Sequence, residues 1–223
     1  NNFYPSFKLN DLNSSQYEEF VELSLSKLSL ILSQLESKNV NKIIYTSSSS
    51  IYNLNNNIKF IQDDKFNRIV YSSFKFSAEK LIQNYCKSKK IDFYIMRLFN
   101  TYGDESDKFS LIERLVNAKK NNLKLKLNNN GIAIRDFVHL SDVSKIYKFF
   151  LNKKYPSGVY DIGTGKGHLI KNLFNFLDIK NQNIIRRNNV NEITKSIADI
   201  SNLNKCLGNF KFKALDRYLK SRI

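Results

Sequence analysis

The chain is poor in several residue types: it has no tryptophan, one methionine, two prolines, two histidines, two cysteines and seven glycines among 223 residues. Each scarcity excludes something. Cys86 and Cys206 stand apart without a C-x-x-C pair, so neither a disulfide framework nor a zinc ribbon can be built, and a reduced, cytoplasmic chain is the simplest account. His139 and His168 share no metal-ligand spacing, so no metal site is expected, and His139 in its apolar run reads as structural. No stretch approaches the ~18 uninterrupted apolar residues of a membrane-spanning helix, and no membrane partner is expected. There is no G-x-S-x-G elbow, which leaves a serine hydrolase unsupported. No signal-peptide pattern appears, and the chain opens on Asn1-Asn2-Phe3 without an initiator methionine, as a fragment or processed product would.

Basic residues, by contrast, are abundant. Lys and Arg number 36 against 20 acidic residues, for a formal charge of +16, while 42% of the chain is apolar. That apolar share is enough for a packed core. The charge raises nucleic acid, a membrane surface or an anionic small molecule as partners. Because the basic residues are spread along the chain and not bunched, a solvated surface with Lys/Asn bias is favoured over a polyanion site. Nucleic acid is accordingly not the expected partner.

Hydrophobic periodicity orders the elements. Val21, Leu25, Leu28, Leu32 and Leu35 form a stripe on a helix over 17–36. Lys42 to Ser47 is a buried strand ending in the serine run Ser47–Ser50, and the Asn-rich stretch 53–57 is a loop. A helix over 72–87 carries Ala78, Leu81, Ile82, Tyr85 and Cys86 on one face. Phe93–Met96 is a second apolar strand, leading into Arg97–Gly103. Further on come a helix at 109–120, an alternating strand at Leu123–Leu127, a helix capped by Ser141, a strand at 158–162 and a helix from about His168. The tail holds a short strand near Ile184, a helix ending at Gly208 and a last helix at 214–221. Helix, buried strand, helix, buried strand is the alternation of a parallel α/β sheet, whose working residues collect at the carboxyl ends of its strands.

Within that frame one pair organises the chemistry. If the helix begins at or before Tyr71, then Tyr71 and Lys75 lie one turn apart on the same side. An ammonium beside a phenol favours the phenolate, making Tyr71 a possible acid/base group. Ser48, at a strand end about twenty residues earlier, can donate a hydrogen bond to the oxygen on which Tyr71 acts. Gly163-x-Gly165-x-Gly167 lacks the G-x-G-x-x-G spacing, a following strand and a downstream acidic residue, so a tight strand-to-helix turn is the better reading than a dinucleotide site.

Taken in order, these segments resemble the extended short-chain dehydrogenases/reductases, in the NAD-dependent epimerase/dehydratase group that includes UDP-glucose 4-epimerase. Ile43–Tyr52, Tyr71 with Lys75 and Glu79–Ile82, Arg97–Gly103, Arg135–Val143, Val159–Gly165 and Ala198–Gly208 each resemble a motif of that group, from about residue 20 to 210. The resemblance implies Ser48, Tyr71 and Lys75 as catalytic residues. It implies cofactor contacts by Ser24, Ser47, Tyr71, Lys75 and Phe99, with NAD or NADP as cofactor. Ser48, Asn100 and Arg135 would bind a nucleotide sugar, Arg135 through its diphosphate. A homodimer is implied as well.

The departures are equally informative. The first strand, the Gly-rich phosphate turn and the acidic ribose-binding residue of that group have no counterpart here. The fold expected is therefore α/β, a partial Rossmann-type doubly wound parallel sheet (first strands missing) with a small mixed α/β substrate domain. Residues 1–103 and 136–164 would form the C-terminal part of the NAD(P)-binding domain, and 104–135 with 165–223 the substrate-binding domain. Ser24 stands where asparagine is usual, Asp161 replaces another asparagine, and Asn189 stands where an arginine is expected. Relatives that eliminate water carry Asp-Glu at the positions of Ser49-Ser50, and decarboxylases carry a Glu at that of Ser50, so both reactions are disfavoured. What remains is a nucleotide-sugar epimerase or 4-ketoreductase working by hydride transfer with Tyr-Lys-Ser catalysis, the fragment itself being inactive alone. The alternative is a catalytically degenerate dehydrogenase-like module that binds RNA or a sugar nucleotide.

Overall fold

The computed structural model describes residues 14–35, 39–54, 66–188, 192–208 and 210–223. Most of the Asn-rich stretch 53–57, and Asn189, lie outside them. In chain order the helices are α1 (Ser14–Val21), α2 (Lys27–Gln34), α3 (Phe66–Lys89), α4 (Leu111–Asn121), α5 (Leu140–Asn152), α6 (Ile170–Phe176), α7 (Ser201–Leu207) and α8 (Leu215–Arg222). The strands are β1 (Lys42–Ser48), β2 (Asp92–Leu98), β3 (Asn100–Tyr102), β4 (Leu125–Asn128), β5 (Ile134–His139), β6 (Gly158–Ile162), β7 (Gly167–Leu169), β8 (Ile184–Arg187) and β9 (Lys195–Ser196). Two compact units result, one running through Arg97 with Lys154–Tyr160 added, the other made of Leu98–Lys153 and Asp161–Ile223. These units divide the chain at other points than the cofactor and substrate halves expected above, which are assignments of role.

In the first unit β1, β2 and β6 are hydrogen-bonded in that order. β2 lies centrally, so Phe93, Tyr94, Ile95 and Met96 are buried in succession, without alternation. Ile95 and Phe93 pack with Leu32 of α2 and with Ile82 and Cys86 of α3. Burial pushes the Cys86 thiol up to about 11, so it behaves as a small core residue. On α3 the inward face is Ala78, Ile82 and Cys86, whereas Leu81 is exposed, one position off the expected stripe.

The expected single helix at 17–36 is interrupted. Glu22–Ser26 form a π-helical turn between α1 and α2. The extra residue in that turn rotates the following face by roughly 100° relative to a straight helix. Val21 consequently turns outward and Ser24 turns inward.

The second unit is built round β5. β3 pairs with it in parallel, Asn100 opposite Phe137 and Tyr102 opposite His139. β7 pairs antiparallel on its other part, Arg135 opposite His168, and β9 joins in parallel. β4 and β8 make a separate parallel pair in which Leu125 and Leu127 are buried while Lys126 is exposed, the period-two pattern read in the sequence. Ile112, Leu115 and Val116 of α4 pack with Phe137, Leu173, Phe174 and Leu219 in one core.

Two local expectations change here. α5 begins at Leu140, and its N-cap is His139, whose Nδ1 accepts the Ser141 amide at 3.0 Å, so the side chain expected to cap belongs to a residue that is itself capped. And no helix follows Gly167 directly, because β7 intervenes before α6.

Candidate active site

The first unit holds Ser24, Ser47, Ser48, Tyr71 and Lys75. α3 starts five residues before Tyr71, so Tyr71 and Lys75 are both inside it and one turn apart. Lys75 is buried, and its Nζ donates to the Thr46 carbonyl at 2.9 Å. The same nitrogen lies 5.1 Å from the centroid of the Tyr45 ring and 5.9 Å from that of Tyr71. Burial brings the Lys75 ammonium down from 10.5 to about 7, with Glu79 acting in the opposite direction. Burial thus favours the neutral amine, and the nearby carboxylate favours the ammonium.

Ser48 closes β1, and Ser49–Leu54 follow as a 3-10 turn. The Ser48 Oγ accepts the Ser50 amide at 3.2 Å, and the Ser72 Oγ donates to the Ser50 carbonyl at 3.1 Å. The turn after Ser48 is thereby tied to α3 next to Tyr71. Three buried hydroxyls in this unit, those of Ser24, Ser47 and Ser50, have no hydrogen-bond partner among the described residues. Buried hydroxyls normally have one. Hydroxyls left so can exchange hydrogen bonds with a bound polar group.

The second unit holds Phe99, Asn100 and Arg135. Phe99 is buried, with its amide donating to the Ile162 carbonyl at 3.0 Å. The Asn100 Nδ2 donates to the Asp136 carbonyl at 3.0 Å, which fixes an otherwise exposed residue. The Arg135 Nη1 donates to the Ile134 carbonyl at 2.9 Å, and its Nη2 lies 4.0 Å from the Glu192 Oε1. The Asn129 Nδ2 holds the other Glu192 oxygen at 3.1 Å. Glu192 went unremarked in the sequence, where attention rested on the arginine expected at Asn189.

A second residue missed in the sequence explains the Gly-rich segment. Asp136 is fully buried, and its carboxylate accepts the Thr164 amide, the Thr164 hydroxyl at 2.6 Å, the Gly165 amide at 2.8 Å and the Ala198 amide at 3.2 Å. The turn amides that a phosphate would use are thus spent on a carboxylate. A Cβ on Gly163 would come within 2.5 Å of the Ala198 Cβ and 2.7 Å of the Asp136 Oδ2. Glycine stands there for close packing. The signal that could have found Asp136 is an acid directly followed by the apolar pair Phe137-Val138.

His139 is structural here as well. Its ring meets Tyr102 and Tyr218 edge-on at centroid distances of 5.1 and 5.5 Å, and burial followed by the charge of Lys213 keeps it below its ordinary pKa. Among the described residues no three His, Cys, Asp or Glu gather as a metal site, and no helix is long and apolar enough to cross a membrane.

A model of the NAD dependent epimerase/dehydratase family matches residues 10–163. The chain belongs to that family. Members similar to it include a dTDP-D-glucose 4,6-dehydratase of Dictyostelium discoideum, 28% identical over 69% of this chain and 38% of the relative's length. The Homo sapiens dTDP-D-glucose 4,6-dehydratase is 26% identical over 69% of the chain and 44% of its own length. The chain therefore spans less than half the length of these curated relatives. Among solved structures, the UDP-glucuronic acid 4-epimerase of Bacillus cereus, in complex with UDP-glucuronic acid and NAD, superposes with a TM-score of 0.77 at 20% identity, covering 97% of this chain and 71% of that one. The UDP-N-acetylglucosamine 4-epimerase of Methanobrevibacter ruminantium gives 0.74 at 23% identity over 93% and 70%. The fold is thus the Rossmann-type α/β architecture of these epimerases.

Proposed function

We propose that the protein is a nucleotide-sugar epimerase or 4-ketoreductase in which Tyr71, Lys75 and Ser48 do the proton chemistry. The observation that carries this is the buried Lys75, hydrogen-bonded to Thr46 and set against the Tyr71 ring one turn away. Tyr71 takes the proton from a sugar hydroxyl as the carbon is oxidised and returns it on reduction. Lys75 holds positive charge beside the Tyr71 oxygen and binds the nicotinamide ribose. Ser48 aligns the reacting oxygen. NAD or NADP, when bound, supplies the acceptor and donor of the two electrons. Ser24, Ser47 and Phe99 are the further residues that would hold it, and the partnerless hydroxyls of Ser24 and Ser47 support that role.

In the second unit Asn100 contacts the sugar nucleotide, and Arg135 pairs with its diphosphate, a charge-assisted contact. Residues 1–103 with 136–164 serve the cofactor, and 104–135 with 165–223 serve the substrate. The similarity to 4,6-dehydratases does not carry over to their reaction. Elimination needs an acid and a base at the positions of Ser49 and Ser50, and serine hydroxyls do not ionise near neutral pH.

The test is a panel of nucleotide sugars offered to the intact enzyme with NAD or NADP, products being read at the sugar C4 by NMR. Inversion or ketone reduction at C4 is expected, with loss of both in Tyr71→Phe and retention of nucleotide-sugar binding. Wild-type-like turnover by Tyr71→Phe sinks the assignment. The 223-residue chain alone is expected neither to bind NAD tightly nor to turn over. Salt-steep RNA binding with no cofactor requirement would favour the non-catalytic module instead.

A further inference from the structure

The face of α3 that carries Tyr71 and Lys75 continues for one more turn to Glu79. That carboxylate is fully buried. Arg97, near the end of β2, meets it with two parallel bonds, Nε to Oε1 at 3.0 Å and Nη2 to Oε2 at 2.7 Å. The guanidinium of Arg97 also lies 4.8 Å from the centroid of the Tyr52 ring, within the 3-10 turn that follows Ser48. Four side chains thus run in sequence from Lys75 through Glu79 and Arg97 to Tyr52.

A buried ion pair is a poor device for stability alone. Two ions lose their hydration, and an apolar pair of the same shape often serves as well or better. What a bidentate pair supplies is fixed geometry. Here one end of the pair neighbours a residue of the reacting set, and the other end meets the turn that follows Ser48. On one side Glu79 is the i+4 neighbour of Lys75, and it works against the burial that strips Lys75 of its proton. On the other side Tyr52 belongs to the turn whose Ser50 amide donates to the Ser48 Oγ.

The elements packed against this part of α3 offer few competing charges. β1 carries Lys42 and Tyr45, the 3-10 turn carries Tyr52, and the π-helical turn carries Glu22, which pairs with Lys27 at the surface. Glu79 is the carboxylate that acts on Lys75.

We propose that Glu79 and Arg97 are a positioning pair for the reacting set: Glu79, locked by Arg97, favours the ammonium form of Lys75 opposite Thr46, and Arg97, through Tyr52, holds the turn that presents Ser48. This rests on the reading of Tyr71, Lys75 and Ser48 given above.

The test has two readouts. In the 223-residue chain carrying 13C-labelled lysine, the titration of the Lys75 Cε resonance, assigned with Lys75→Arg, is followed by NMR. It needs neither cofactor nor turnover. Glu79→Gln is expected to lower the midpoint by about 1 pH unit. Glu79→Asp is expected to restore part of the shift. In the intact NAD-loaded enzyme, Glu79→Gln is expected to lower kcat by about 10- to 100-fold with KM for the sugar nucleotide little changed, and to move the alkaline limb of the pH profile downward. Arg97→Lys is expected to leave the Lys75 midpoint in place while lowering kcat, because it keeps charge but loses the fork.

An unmoved Lys75 midpoint together with an unmoved pH profile in Glu79→Gln, whatever happens to melting temperature, overturns the proposal. Should Glu79→Gln fail to fold, the double variant Glu79→Gln/Arg97→Met removes both charges, and a wild-type midpoint and rate in it overturn the proposal equally. If Tyr71→Phe turns over normally while the Glu79→Gln midpoint shift stands, the catalytic reading has failed and the coupling of Glu79 to Lys75 has not.

Discussion

Each of the two units buries a charged side chain at its centre, and the two treat it differently. In the second, the Asp136 carboxylate is saturated by three backbone amides and a hydroxyl. In the first, the Lys75 ammonium donates to the Thr46 carbonyl, lies against the Tyr45 and Tyr71 rings and is shifted towards its neutral form by burial, and the hydroxyls of Ser24, Ser47 and Ser50 find no partner among the described residues. Saturation is the mark of a group whose work is to hold backbone. Buried hydroxyls without a described partner are places where a ligand can bind; the first unit has them at Ser24, Ser47 and Ser50, and the second has one at Ser141.

That contrast can be broken or sharpened by experiment. The largest effect is expected from Tyr71→Phe in the intact enzyme, a fall in kcat of roughly 1,000-fold or more with stability nearly unchanged, measured by steady-state kinetics and thermal melting. If stability falls instead, Tyr71 belongs with the structural residues. Next, Asp136→Ala leaves several buried donors without an acceptor and is expected to cost about 3–5 kcal/mol in chemical denaturation. A loss below about 1 kcal/mol would mean that the turn at Gly163–Gly165 holds itself.

Lys75→Met should act in the opposite direction and depend on pH. The folded-state pKa of Lys75 is about 7, below its unfolded value of 10.5. The unfolded chain therefore binds the extra proton between those limits, and the cost of burying Lys75 is full below pH 7 and relieved as pH rises towards 10.5. Lys75→Met is thus expected to stabilise the fold by on the order of 3 kcal/mol at pH 6 and by much less above pH 10, read as melting temperature against pH. A stability gain that does not vary with pH would place Lys75 with the packing residues. The smallest effect is expected from Tyr218→Phe. It removes the bond from the Tyr218 hydroxyl to the Glu113 Oε1 at 2.7 Å, for a loss of about 1–2 kcal/mol with no change in kcat.

Much of the fold was legible because the sequence is locally consistent. Phe93–Met96 read as a buried strand, and Leu125-Lys126-Leu127 as part of one wet on a single face, and both are so in the structure. The inward turn of Ser24 was not legible, because a π-helical turn arises from packing and leaves no periodic trace in the residues that form it. The same limit applies to His139 taking the cap from Ser141, since both are polar residues at a plausible boundary and only backbone geometry chooses between them.

The candidate site divides along the same line. Residue type and spacing by themselves determined that Tyr71 and Lys75 share a helix face, that a serine-rich strand end precedes them, and that the chain belongs with a parallel α/β fold. These follow from the 3.6-residue helical repeat and the two-residue strand repeat, which act over a few residues. Only the tertiary structure decided that Lys75 is buried against Thr46, that Arg97 closes on Glu79, and that Asp136 and not a phosphate consumes the amides of the glycine turn. Each of these pairs residues 18 to 29 positions apart in the chain. Such contacts are set by which elements pack together, and no local repeat encodes them.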